Sequence, residues 1–144
     1  MDFNYCLWFI NSEDHSWNTY REGFYPHLTI KSKLEYPEAL ELYERWKTIE
    51  PIQVRLNEEV VYSNENGFHA LYFQVILVEN IEEPYWWKEI KNPHMSFRYQ
   101  YNKDFSKDEI KQLKTIVKEK IGTLTDVKLV NCRGHYETWH FLDV

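Results

Sequence analysis

The chain has 144 residues, a net charge of −6, and is 43% hydrophobic and 17% aromatic. This is enough for one domain with a real core, and it excludes a disordered or low-complexity chain. The acidic balance excludes coating of long nucleic acid by counterion release, and no apolar run reaches the roughly 18 residues of a membrane helix.

The Met1-Asp2-Phe3-Asn4 start has no basic region, so no signal peptide is expected. Tyr5-Cys6-Leu7-Trp8-Phe9-Ile10 is short, apolar and aromatic, and predicts a buried strand. The polar stretch from Asn11 to Gly23 gives no clear element. Tyr25 to Ile30 predicts a second strand. Pro37, followed by Ala39, Leu40, Leu42, Tyr43 and Trp46, predicts an amphipathic helix to about Lys47. Strands are expected near Gln53–Tyr62 and Phe68–Val78, split by the turn residues Ser63-Asn64-Glu65-Asn66-Gly67. A loop with Trp86 and Trp87 leads to a strand over Pro93–Tyr99. Ser106-Lys107-Asp108-Glu109 is a capping box that opens a helix with Ile110, Leu113, Ile116 and Val117 on one face, ending before Gly122. Two closing strands are expected, Asp126–Cys132 and His135–Leu142.

Each half thus holds a histidine-bearing strand, then a helix, then a pair of strands. The order predicts a single α+β domain over 1–144, with helices outside an antiparallel core, and it suggests an internal structural duplication. The two cysteines, Cys6 and Cys132, form no CxxC pair and read as small buried residues in a reducing, cytoplasmic setting. Four glycines are too few for a phosphate-cradling glycine-rich loop.

Two segments share the form Pro-His-apolar-hydroxyl: Pro26-His27-Leu28-Thr29 and Pro93-His94-Met95-Ser96. Side chains alternate along a strand, so His27 projects with Thr29, and His94 with Ser96. The histidines are 67 residues apart (94 minus 27), so only the tertiary fold can join them. Two imidazoles suit phosphodiester cleavage: one takes a proton from the attacking oxygen, the other gives one to the leaving oxygen. The hydroxyls of Thr29 and Ser96 can stabilise the non-bridging phosphate oxygens. Zinc is the competing chemistry, but neither HExxH nor CxxC occurs, and a hydroxyl stands where a second ligand is needed. No metal or cofactor is therefore expected.

This pattern resembles the 2H phosphoesterase superfamily, named for two His-x-Thr/Ser motifs, and among its members the compact plant-type cyclic phosphodiesterases. The resemblance spans nearly the whole chain: Tyr5–Phe9, Phe24–Ile30, Phe68–Val78, His94–Tyr99 with a tyrosine five residues after the histidine, and Glu137-Thr138-Trp139. It departs in a short segment before His27, where the family has a long first helix of which one or two turns are expected near Ser16–Arg21, and in a short loop before His94. It implies a bilobal fold of two interleaved lobes, pseudo-twofold duplicated antiparallel sheets with outer helices and a central groove. It also implies hydrolysis of a nucleoside 2′,3′-cyclic phosphate or of ADP-ribose 1″,2″-cyclic phosphate. Alternatives are a phosphodiesterase acting on 2′,5′-linked oligoadenylate, cyclic oligonucleotide signals or RNA ends, and a nucleotide-binding module without turnover. The expected partner is a small nucleotide or oligonucleotide, met by a monomeric chain away from any membrane.

Supporting residues follow from the same alternation. Arg98 shares parity with His94 and Ser96, and Lys31 and Lys33 share it with His27, so each can meet a phosphate. Tyr99 has the opposite parity, which a regular strand turns away from the groove, whereas the family resemblance favours a site role that a bulge or the strand end would allow. Trp139 is the preferred base-stacking or groove-wall residue, ahead of Tyr25, Trp86 and Trp87. His15, His69, His135 and His140 are read as surface or structural.

Overall fold

A computed structural model describes residues 3–13, 17, 25–79 and 81–144. The expected turns near Ser16–Arg21, and His15, lie outside them apart from Trp17. The described order is β1 (Tyr5–Ile10), β2 (His27–Leu34), α1 (Tyr36–Trp46), β3 (Ile52–Glu65), β4 (Phe68–Leu77), β5 (His94–Tyr101), α2 (Lys107–Ile116), β6 (Ile121–Leu124), β7 (Asp126–Asn131) and β8 (His140–Phe141). The eight strands form one antiparallel sheet, ordered β6-β3-β4-β5-β2-β1-β7-β8, which curls into a half-barrel. The α+β class is therefore as read from the sequence.

The two faces of the sheet have different fates. Leu7 and Phe9 of β1, Leu28 and Ile30 of β2, Leu71 and Phe73 of β4, and Met95 and Phe97 of β5 join one large core. Ala39 and Trp46 of α1 and Leu113 of α2 belong to that core, so the helices cover this face. The other face of β1 packs Cys6, Trp8 and Ile10 against Val130 in a second cluster. With both faces covered, β1 reads as a continuous apolar run rather than an alternation. Both helices start on chemistry visible in the sequence. Pro37 occupies the first turn of α1, where its missing N–H costs nothing. Ser106 and Glu109 close a reciprocal capping box on α2.

Two expectations need correction. The strand predicted over His135–Leu142 is mostly a turn: a 3-10 segment, Tyr136–Thr138, precedes a β8 of only two residues. Side chains there satisfy the backbone locally. The Glu137 N–H donates to His135 Nδ1, and the Thr138 hydroxyl donates to the His135 carbonyl at 2.7 Å, so the segment does not need a strand partner. Conversely, β6 was not foreseen. It is a four-residue edge strand on β3, and it contains Gly122, which the sequence suggests as a helix stop.

Gly122 is required by packing. Trp17 is fully buried, its indole N–H donates to the Glu119 carbonyl at 2.7 Å, and a Cβ at position 122 would overlap the indole ring. Gly122→Ala is expected to lower stability by about 1–3 kcal/mol through overpacking. The urea midpoint measures it at constant m-value, and an unchanged midpoint would contradict this contact.

Candidate active site

Strands β2 and β5 are direct neighbours in mid-sheet, and this brings the two histidine segments together. His27 stands opposite Ser96, and Leu28 opposite Met95. The same register continued by one residue sets Thr29 opposite His94. The two Pro-His-x-hydroxyl segments therefore run antiparallel past each other, the histidine of each beside the hydroxyl of the other.

Each histidine is the first residue of its strand, and each ring is held the same way. His27 Nδ1 lies 2.7 Å from the Tyr25 carbonyl, and His94 Nδ1 lies 2.8 Å from the Asn92 carbonyl, two residues upstream in both cases. A carbonyl only accepts, so the Nδ1 of each ring carries a proton, and in the neutral tautomer Nε2 is the acceptor. His140, first in β8, makes a similar bond to the Thr138 carbonyl at 3.1 Å. The bond is thus a habit of strand starts, and only the surroundings of Nε2 set the pair apart.

Those surroundings are unequal. His94 is half-buried, lies against Tyr72 with ring centroids 4.4 Å apart, and lines a cavity of about 500 Å³. Thr29 and Ser96 line the same cavity. His27 is 1% exposed and does not reach the cavity wall. Trp8 stacks flat on it, centroids 3.5 Å apart and planes 4° from parallel. Its Nε2 accepts the Tyr99 hydroxyl at 2.9 Å. Burial, the largest effect, pushes the His27 pKa down to about 3, so the ring is neutral at physiological pH. Burial likewise raises the Tyr99 phenol well above its ordinary value, with a hydrogen bond from Ser96 opposing. Ser96, Tyr99 and His27 form one connected chain from the cavity inward.

Tyr99 reaches that position through a bulge. The register between β4 and β5 shifts at Leu71/Tyr72: Tyr72 faces Ser96, while Leu71 faces Arg98. One extra residue on β5 reverses the parity beyond it. Tyr99 turns to the cavity, and Arg98 turns away. The expectation that Arg98 joins His94 and Ser96 is therefore corrected. Arg98 is not on the cavity wall, and it is one of the positive groups that, after hydrogen bonds from Ser106, help hold the Glu109 carboxyl of α2 below its ordinary range. A similar irregularity separates the two lysines. Register shifts between β1 and β2 and a positive φ of 58° at Lys33 bring Lys33 to the cavity wall but not Lys31.

Trp139 lines the cavity, its ring centroid 5.7 Å from Tyr99 and 6.1 Å from Trp8. Trp86 and Trp87 belong to the large core, and Tyr25 packs beside Phe141 in the smaller cluster. His69 is buried on another network, with Tyr62 and Asp104. The two thiols, neither in a disulfide, wall the cavity and share a hydrogen bond, which pushes the Cys6 pKa down and, with burial, the Cys132 pKa up.

Sequence reasoning missed Trp8, Tyr72, Phe68 and Glu65. Tyr72 and Phe68 follow a readable alternation, with Phe68, Ala70 and Tyr72 on one face of β4 and Leu71, Phe73 and Val75 on the other, and Glu65 follows from the hairpin, which sets it opposite Phe68. Trp8 leaves no such trace, because its role depends on the pairing of β1 with β2. Among the described residues, no three His, Cys, Asp or Glu side chains cluster as metal ligands, and no helix is long and apolar enough to cross a membrane. The sequence matches no model of a known protein family and no curated protein of known function.

Proposed function

We propose that this chain is a metal-independent cyclic phosphodiesterase of the 2H phosphoesterase kind, hydrolysing a nucleoside 2′,3′-cyclic phosphate or ADP-ribose 1″,2″-cyclic phosphate. The antiparallel pairing of the two Pro-His-x-hydroxyl segments carries this reading, since it joins two imidazoles and two hydroxyls that lie far apart in sequence. The order of the sheet supports the duplicated arrangement. Outward from the β2/β5 junction the strands run β2, β1, β7, β8 on one side and β5, β4, β3, β6 on the other, and a helix follows each histidine strand.

In this reading the cyclic phosphate sits against Thr29, Ser96 and His94. The Thr29 hydroxyl donates to a non-bridging oxygen as negative charge builds, and the Ser96 hydroxyl does so by turning from Tyr99 to the phosphate. His94, its Nδ1 held by the Asn92 carbonyl and its Nε2 facing the cavity phosphate, takes the proton of the attacking water. The departing ribose oxygen takes its proton from the Tyr99 hydroxyl, which turns from His27 Nε2 to give it, and the phenolate recovers a proton from solvent as His94 releases the one taken from water. Lys33 adds positive charge to the wall, and Trp139 offers a ring to the base.

Turnover of a panel of nucleoside 2′,3′-cyclic phosphates and ADP-ribose 1″,2″-cyclic phosphate tests this directly. The expected result is release of the 2′-phosphate (the 1″-phosphate from the ADP-ribose compound) at a rate unchanged by EDTA. Strong inhibition by EDTA overturns the metal-free mechanism. Cleavage confined to 2′,5′-linked or cyclic oligonucleotides overturns the substrate, and tight calorimetric binding without turnover of any compound overturns the enzyme in favour of a binding module.

A further inference from the structure

The cavity carries two side chains of fixed charge among its described residues, Lys33 and Glu65. The lysine suits a phosphate, but the carboxylate does not. Glu65 ends β3, and Phe68 begins β4 directly opposite it. Asn66 and Gly67 between them have φ of 52° and 85°, the paired positive values of a type I′ hairpin turn. That turn sets the register, and in this register directly opposed side chains share a face with Cβ atoms about 5 Å apart. The tip is anchored, because the Asn102 N–H donates to the Gly67 carbonyl at 2.7 Å. Two steps inward, Ser63 stands opposite Ala70, and both also line the cavity.

Phe68 belongs to an aromatic wall. Its ring centroid lies 4.8 Å from that of Tyr99 and 6.5 Å from that of Trp139, whose plane is tilted by 31°. Glu65 forms no ion pair or hydrogen bond with a described residue, so both carboxylate oxygens remain free to accept. A fixed aromatic wall beside an unpaired carboxylate is a means of reading a base: the rings take its face, the carboxylate takes the donors on its edge.

We propose that Glu65, beside Phe68, makes this cavity select guanine nucleotides. Guanine presents two parallel N–H donors, N1–H and the exocyclic amine, which match the two oxygens of a carboxylate. Adenine and cytosine place an acceptor nitrogen beside their amine, and uracil flanks its one N–H with two carbonyls. Each of those edges turns a lone pair toward Glu65. This rests on the reading of the cavity as a nucleotide site, and it adds which base enters.

Calorimetric titration of the four nucleoside 2′-monophosphates tests the selectivity without requiring turnover. The 2′-GMP is expected to bind at least about tenfold more tightly than the other three. Glu65→Gln, at an exposed hairpin position that leaves the fold intact, is expected to bring the four within about threefold of one another, with 2′-GMP binding more weakly and 2′-UMP no more weakly than before. Phe68→Leu is expected to weaken all four by a similar factor. Equal affinities in the unaltered protein, no binding of any of the four, or a guanine preference that survives Glu65→Gln each overturn the proposal. Guanine-selective binding without hydrolysis upholds it while overturning the phosphodiesterase reading.

Discussion

His94→Ala is expected to lower kcat on the cyclic phosphate by at least about 10²-fold, the usual contribution of a positioned proton-transfer group. KM should change by no more than about threefold, because Thr29, Ser96 and Lys33 still line the cavity. The fold should survive. His94 is half-buried at the start of β5, and its one hydrogen bond is to the Asn92 carbonyl in an exposed setting. The pH profile supplies a second check. His27 is held neutral by burial, so across the neutral range its own ionisation should leave no step in the rate. A variant with the unaltered rate would refute the assignment of His94. Substituting alanine at His140 is the matched control: it removes the same kind of backbone-held imidazole outside the cavity and should leave the rate unchanged.

The second large effect concerns His27, and it combines stability with activity. The ring is sealed by Trp8 and bonded at both nitrogens, to the Tyr25 carbonyl and the Tyr99 hydroxyl. His27→Ala would leave a void against Trp8 and strip two buried groups of their partner, which costs about 2–4 kcal/mol. Turnover should fall at least about 10²-fold as well, because Tyr99 loses the group that orients it. Acidity acts on the same site. The pKa lies near 3 in the fold and near 6.5 in the unfolded chain, so between these values the unfolded chain binds the extra proton. The contribution of His27 to stability is therefore at its plateau above about pH 6.5 and declines as pH falls toward 3, at up to about 1.4 kcal/mol per unit and about 3–5 kcal/mol in total. Urea midpoints at pH 7 and pH 4.5, compared between the unaltered protein and His27→Gln, measure it. The glutamine variant should have the shallower pH dependence, and equal slopes would show that His27 is not held neutral in the fold.

Local chemistry made most of the elements legible. Pro37 and the Ser106–Glu109 box mark helix starts because they deal with backbone N–H groups that no helix can satisfy internally. The Asn66-Gly67 pair marks a hairpin because both positions need positive φ. The alternation in β4 and β5 separates a core face from an open face. The segment after Arg133 misled, since apolar and aromatic residues suggest a strand, while the hydroxyl of Thr138 and the ring of His135 close a turn that no periodicity reveals.

The two histidines, their hydroxyl neighbours and the need to bring them together were written in the sequence by itself, because a repeated Pro-His-x-hydroxyl pattern needs only strand alternation to acquire meaning. The tertiary structure decided which of these groups reach the cavity. A single bulge in β5 exchanged Arg98 for Tyr99, since one inserted residue reverses every later side chain. The pairing of β1 with β2 placed Trp8 over His27, and burial, which depends on contacts between distant strands, then separated two identical imidazoles into a sealed, neutral one and an open one.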